Sequence, residues 1–321
     1  MPMNRVQFQY GMSLSQFHSR YGSVAQCQQA VFALRWPEGF ICPSCAGRHA
    51  SRFVREARLY WQCSTCRVQT SLTAGTVFEN SKLSLTVWFL AMYLLTQTKT
   101  GMSALELHRH LGVSYRSAWL IKHKLMQVMF EQERGRQLSR LVQLDDAYLG
   151  GERTGGKRGR GSENKVPLIA AVQTTDDGQA ILTRLDVLPN WKAQTIARWA
   201  AKALLQGTHV VSDGFPSFVA VKAAHCSHEA IIHGPNKRGA QHPRFLAVNT
   251  LLGNLKMWMN STFRGFKTGH YATRYMAEFQ YRFNRRFALA ALMPDLLQAC
   301  VAHSHLPEAD LRLAMPAELA A

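Results

Sequence analysis

Residues 141–151 read LVQLDDAYLGG, and residues 209–215 read HVVSDGF. In each, an apolar run of strand character stops at an aspartate: Asp145 or Asp146 in the first, Asp213 in the second, with glycine soon after. Strand ends are where α/β architectures place reactive groups. A third stretch, VNTLLGNLKMW at 248–258, is amphipathic with a helical period. Two carboxylates and a third oxygen ligand drawn from distant segments can hold divalent ions for phosphoryl transfer.

Helix phase selects the third ligand. At about 100° per residue, Lys256 falls roughly 20° from Asn249, and Asn254 about 140° away. Val248, Leu251, Leu252, Leu255 and Met259 form a separate apolar face, so Asn249, Lys256 and Asn260 share a polar stripe. That makes Asn249 the better candidate ligand and Lys256 a cation suited to a nearby phosphate. Plainer roles for the same residues stay open: strand-end aspartates serve as turn or cap residues, and Asn249 could be a helix N-cap.

Around these stretches, residues 140–235 alternate strand and helix patterns. VPLIAAVQT and AILTRLDVL read as a strand pair, AQTIARWAAKALLQ and FPSFVAVKAA as helices, and HVVSD and EAIIHG as strands. From about Phe245 to Cys300 the pattern is helical. Upstream, residues 10–35 are helical and carry one apolar face. Between 83 and 135 three helical pieces follow, with Ser103 and Ser114 as N-caps. The resulting division is an N-terminal helix and zinc ribbon (1–82), a helix-turn-helix region (83–135), a core (136–300) and a tail (301–321), a multidomain α+β chain.

Cys42, Cys45, Cys63 and Cys66 form two CxxC pairs 17 residues apart. Each pair puts two thiolates on a tight knuckle, and two knuckles complete a tetrahedral sulfur site for structural Zn²⁺, with a two-stranded ribbon between them. A closed four-thiolate site leaves no open position, so its role is folding and DNA contact. Cys27, Cys226 and Cys300 lack partners at ligand spacing and read as small buried hydrophobes.

The stretch MSALELHRHLGVSYRSAWLIKHKLMQ has the layout of a helix-turn-helix. Its second helix would carry Tyr115, Arg116 and Ser117 toward base edges or phosphates, with Lys122 and Lys124 further along; a basic helical hairpin that only packs is the alternative. Near the C-terminus, Arg274, Arg282, Arg285 and Arg286 make a strongly basic helix, read as phosphate-contacting or as an ion-pair set with Glu278. Glu278 could also stand in for Asn249 as an acidic ligand, although an i,i+4 pair with Arg282 explains it equally well. The basic, Gly-rich stretch ERTGGKRGRGSENK at 152–165 reads as a loop that orders on DNA, or as a solvated hairpin loop.

Thirty-eight Lys and Arg against 20 Asp and Glu give a formal charge of +18, which points to a polyanionic partner. Basic residues interleaved with Tyr and Trp, as at YRSAWLIKHK, favour nucleic acid over a membrane. The N-terminus has no apolar run of signal-sequence type, so the expected location is cytoplasmic and nucleoid-associated.

The ordered succession FICPSC, WQCSTC, TAGTVFENSKLSLTVWFLA, QLDDAYLGG, SDGF, NTLLGNLK and YMAEFQYRFNRR spans roughly residues 40–290. It resembles the bacterial insertion-sequence transposases of the DDE superfamily that carry an N-terminal zinc ribbon. The resemblance implies a ribonuclease H-like α/β core with a mixed sheet, two divalent ions (Mg²⁺ or Mn²⁺), and a homo-oligomer that cuts and rejoins DNA at terminal inverted repeats. It selects Asp145 over its neighbour as the first aspartate, matches Asp213 to the second, and matches Asn249, where Glu is usual, to the third, with the family's lysine at Lys256. Other functions on the same fold are a DNA-binding or regulatory protein that has lost its chemistry through Asn249, and a plain metal-dependent nuclease.

Overall fold

The computed structural model describes residues 9–56, 58–150, 165–232, 242–263 and 268–313. The basic stretch 152–164 lies outside them. The chain divides into two units, Met1–Val128 with Phe287–Arg312, and Met129–Arg286 with Leu313–Ala321. The chain leaves the second unit after Arg286 and returns to the first, short of the core boundary expected at residue 300.

In the first unit the helical stretch over 10–35 is two helices, α1 (Leu14–Tyr21) and α2 (Val24–Arg35). Each begins with a capping box, Ser13 with Gln16 and Ser23 with Gln26, a reciprocal pairing that satisfies N–H groups at the helix start. The ribbon consists of β1 (Ala50–Arg55), β2 (Arg58–Cys63) and a short third strand, β3 (Gln69–Ser71), all antiparallel. Trp61 of β2 packs with Phe32, Trp36 and Phe40, ring centroids 5.1 to 6.4 Å away, so an aromatic core supplements the cysteine cluster.

Three helices follow: α3 (Leu85–Gln97), α4 (Ala104–Leu111) and α5 (Tyr115–Glu133). Ser103 and Ser114 both cap, accepting from the N–H groups of Glu106 and Ser117 at 3.1 Å. Between the two caps, Gly112 closes α4 in the left-handed conformation at φ 64° that glycine supplies without steric cost. The buried residues of α3 include Phe89, Met92 and Leu95, and the helix packs on α9 (Leu292–Ala302), which buries Met293, Leu296 and Cys300. That pairing is why the C-terminal helices belong here. A short α10 (Glu308–Arg312) ends the unit.

The second unit is built on β4 (Leu141–Leu149), β5 (Val166–Thr174), β6 (Ala180–Val187), β7 (His209–Ser212) and β8 (Ser227–Ala230). Their order is β6-β5-β4-β7-β8; β4 is antiparallel to β5 but parallel to β7, and β7 is parallel to β8. This mixed sheet with helices is consistent with the implied ribonuclease H-like core. The last strand starts two residues earlier than the sequence pattern placed it. Val142, Leu144, Ile169 and Ala171 bury one face under α6 (Ala193–Ala203) and the segment Pro216–Ala224. That segment is 3₁₀ rather than the α-helix expected. The opposite face carries α7 (Leu246–Thr262) on β4 and β5, while α8 (Thr268–Asn284) lies on β6. Cys27, Cys226 and Cys300 are buried, as their spacing suggested. Among the described residues no helix is long and apolar enough to cross a membrane.

Candidate active site

The four cysteines of the ribbon converge. Cys42 Sγ lies 3.5 Å from Cys66 Sγ, and Cys45 Sγ 3.6 Å from Cys63 Sγ. Four sulfurs about 2.3 Å from one tetrahedral ion stand about 3.8 Å apart, so the cluster fits Zn²⁺ with slight adjustment. Backbone N–H groups, that of Cys66 foremost, pull the Cys63 thiol down to about 6, whereas at Cys45 the pull of the Gly47 N–H is outweighed by the Cys66 and Cys63 sulfurs, which push that thiol up to about 12. Gly47 packs tightly here: a Cβ there would sit 3.1 Å from Thr65 Oγ1, 3.2 Å from Cys63 Sγ and 3.3 Å from Cys45 Sγ.

In the second unit, Leu144 of β4 stands opposite Ser212 of β7 in parallel register. Asp145 and Asp213 are the next residues: Asp213 lies just past the carboxyl end of β7, whereas Asp145 lies inside β4, which stays paired with β5 as far as Leu149, so the strand-end placement expected of Asp145 is corrected. Oxygens of Asp145, Asp146 and Asp213 all lie within 4.8 Å of one another. Asp145 Oδ1 accepts the N–H of Asp146 at 2.8 Å, and Asp213 Oδ1 that of Phe215 at 3.1 Å. Three convergent carboxylates repel at about 1 kcal/mol per pair even at the dielectric of bulk water, and a hard dication removes that cost. The oxygen donor set suits a hard divalent cation.

Asp146 is the member that strand alternation hides. Period two sends it to the face opposite Asp145, but β4 has no ladder partner on the β7 side beyond Leu144, and its carboxylate reaches the cluster.

Asn249 sits in α7 behind a 3₁₀ turn, Pro243–Phe245, with Phe245 in the N-cap position. It is therefore the fourth helical residue and not a cap. Val248 donates its N–H to Gln143 Oε1 at 3.0 Å. Gln143 and Asp145 share a face of β4 about 7 Å apart along the strand, so the start of α7 is tied to Asp145's face. Val248, Leu251, Leu252, Leu255 and Trp258 are buried, Met259 is half-buried, and Lys256 and Asn260 are exposed. The carboxylate cluster does not include Glu278, which is buried in α8 over β6, two strands from β4.

The expected DNA contacts separate into two groups. Tyr115 and Arg116 are exposed at the start of α5 and Ser117 is half-buried, with Arg116 paired to Glu308 at 2.6 Å. Lys122 is wholly buried and Lys124 nearly so, its Nζ donating to the Val77 carbonyl at 3.4 Å. Neither presents its charge to a phosphate, which corrects the reading of both.

The arginines of the last core helix are corrected likewise. Gln280 and Asn284 accept the N–H groups of Leu185 and Thr183 at 2.9 and 2.7 Å, closing the free edge of β6. Arg286 donates to the carbonyls of Ala180 and, at 3.0 Å, Ile181. Arg285 pairs with buried Glu133, which Arg136 and Asn284 also contact. Arg274 is buried, and burial pulls the guanidinium of Arg282 down against the opposing pull of Glu278. Arg286 thus caps the β6 edge and Arg285 neutralises Glu133, partners more than a hundred residues away that a pattern local to the helix does not reveal.

Comparison with known proteins accords with this geometry. Residues 137–284 match the family model for an ISXO2-like transposase domain, and residues 22–69 match that for a transposase zinc-ribbon domain. The two stretches together take up more than half of the chain. An uncharacterized protein in transposable element ISH50 of Halobacterium salinarum is 28% identical over 152 residues, covering 42% of this chain and 50% of that protein. The chain thus spans about half the length of that curated relative. Among solved structures, the Mos1 strand transfer complex is 12% identical, covering 62% of this chain and 77% of its own, with a TM-score of 0.22. The Mos1 transposase paired-end complex with left transposon end is 12% identical over 65% and 78%, with a TM-score of 0.21. Scores this low do not establish a shared fold.

Proposed function

Because the chain belongs to the DDE-type insertion-sequence transposases with an N-terminal zinc ribbon, we propose that it binds the terminal inverted repeats of its element and carries out metal-dependent DNA cleavage and strand transfer. One observation carries this reading: Asp145 and Asp213 meet where the parallel pairing of β4 with β7 ends, inside the stretch that matches the transposase domain. Asp145 and Asp213 would hold two divalent ions, Mg²⁺ or Mn²⁺. Asn249 would complete the coordination with a neutral amide oxygen, and Lys256 would hold a neighbouring phosphate. When bound, the ions supply Lewis-acid activation of water or a 3′-OH and stabilisation of the leaving oxygen. The protein's own contribution is to hold the carboxylates converged on a rigid sheet before substrate arrives, so that little reorganisation remains at the moment of reaction.

Tyr115, Arg116 and Ser117 at the start of α5, together with the zinc ribbon, are the parts suited to grip duplex DNA, aided by the charge of +18. Joining two ends calls for a homo-oligomer on DNA, in keeping with a nucleoid location. An excision and strand-transfer assay on wild type, Asp145→Ala and Asp213→Ala tests the reading. Loss of both products in both variants supports it. Cleavage without joining by wild type would make the protein a nuclease, and undiminished activity in Asp213→Ala would sink the assignment.

A further inference from the structure

Ser212 immediately precedes Asp213, yet alternation along β7 turns its side chain toward the other face of the sheet. It is wholly buried there. Its Oγ lies 2.8 Å from His228 Nε2 and 3.4 Å from the N–H of Gly214. His228 stands on the neighbouring strand β8 opposite Val210, one diagonal step from Ser212. A buried hydroxyl needs partners, and this one has them on both sides of the turn that carries Asp213.

The same turn is held by two further contacts. The Ser212 carbonyl accepts the N–H of Ile231 at 2.9 Å, just past the end of β8. Gly214 adopts φ +86°, and a Cβ there would lie 2.9 Å from Ile232 Cγ1. Backbone and side chains of β8 and its extension thus clamp residues 212–214 from the side away from the carboxylate cluster.

We propose that Ser212 and His228 are positioning residues for Asp213: the Ser212 hydroxyl, shared between the His228 imidazole and the Gly214 N–H, fixes the turn that aims the Asp213 carboxylate at the metal position. The inference rests on the metal site assigned above and goes one shell beyond it. The surroundings of His228 favour the arrangement. Burial foremost, then Lys222 on the 3₁₀ segment and His209 on β7, disfavour a second proton on its ring. In a neutral ring protonated at Nδ1, Nε2 accepts from the Ser212 O–H, and the Ser212 oxygen in turn accepts from the Gly214 N–H, so the hydroxyl both donates and accepts.

The test is Mn²⁺ affinity, measured by calorimetry on the zinc-loaded full chain, with far-UV circular dichroism as the check on folding. Asp213→Ala defines loss of the site. Ser212→Ala and His228→Ala should each weaken Mn²⁺ binding by about 10-fold or more, while Ser212→Thr, which keeps the hydroxyl, stays within about twofold of wild type. Ser212→Ala and His228→Ala binding like wild type, alongside a defective Asp213→Ala, would overturn the positioning role and leave the metal site standing. Equal binding by wild type and Asp213→Ala would overturn the metal site and this inference with it. If His228→Ala does not fold, Ser212→Cys, which keeps the shape but hydrogen-bonds weakly, decides between the same outcomes.

Discussion

Asp145 and Asp213 each follow the last residue of a parallel strand pair, Leu144 and Ser212, so that two aspartates 68 positions apart in the chain become lateral neighbours. Parallel pairing is what matters. The register that sets Leu144 beside Ser212 carries both chains onward in the same direction, so Asp145 inside β4 and Asp213 just past β7 come side by side, on the face to which α7 is tied through Gln143 and Val248.

That relationship makes Asn249 testable as a ligand. Asn249→Ala should lower both Mn²⁺ affinity and strand transfer, by about 10–100-fold. Asn249→Glu adds a charge worth about 2 kcal/mol against a dication about 4 Å away at the dielectric of bulk water, or roughly 30-fold tighter binding. Unchanged metal affinity in Asn249→Ala would hand the third position to Asp146. An inactive wild type rescued by Asn249→Glu would identify a degenerate binder.

Gly47→Ala presses a methyl group against Cys63 Sγ and Cys45 Sγ, which a bound zinc prevents from yielding. We expect a cost of about 1–3 kcal/mol, the usual penalty of overpacking, read as faster zinc release to a chelator and a lower melting temperature. Zinc release and melting temperature equal to wild type would show that the sulfur cluster is looser than its geometry.

Glu133 gives a pH dependence. Burial pushes its carboxyl up, but Arg285, Arg136 and Asn284 more than offset this and hold it below the usual carboxylate range. A depressed carboxyl stabilises the fold fully above its unfolded value near 4.5, and the contribution disappears as pH falls through the lower folded value. Glu133→Gln, which leaves Arg285 without its counter-charge, should cost about 3–5 kcal/mol near neutrality. It should also flatten the acid limb of a stability-versus-pH curve below about 4.5. An acid limb as steep as that of wild type would refute this account.

The two groups of basic residues should respond differently to salt. Arg116→Ala should weaken DNA binding across sequences and reduce the slope of log affinity against log salt by about one. Lys122→Ala should leave that slope unchanged and instead destabilise the protein by roughly 2 kcal/mol through lost packing of its buried stem. A slope reduced by Lys122→Ala as by Arg116→Ala would mean that α5 opens on DNA.

Local signals decided a good deal by themselves. Two CxxC pairs specify a sulfur cluster because each knuckle is a short-range structure, and Cys42, Cys45, Cys63 and Cys66 do converge. The capping residues Ser103 and Ser114 marked where α4 and α5 start, and the phase of α7 anticipated most of its buried face, because a helix repeats within its own length. What stood opposite each face was not legible. Arg285 and Arg286 read as phosphate ligands until Glu133 and the β6 edge came to meet them, and Lys122 read as exposed until packing enclosed it. Asp146 entered the carboxylate cluster only because β4 outruns β7, and Ser212 met His228 only through the pairing of β7 with β8. Periodicity states which side of an element is apolar. Only the tertiary structure, through contacts between residues far apart in the chain, decides which charges are neutralised, which are buried and which remain for a ligand.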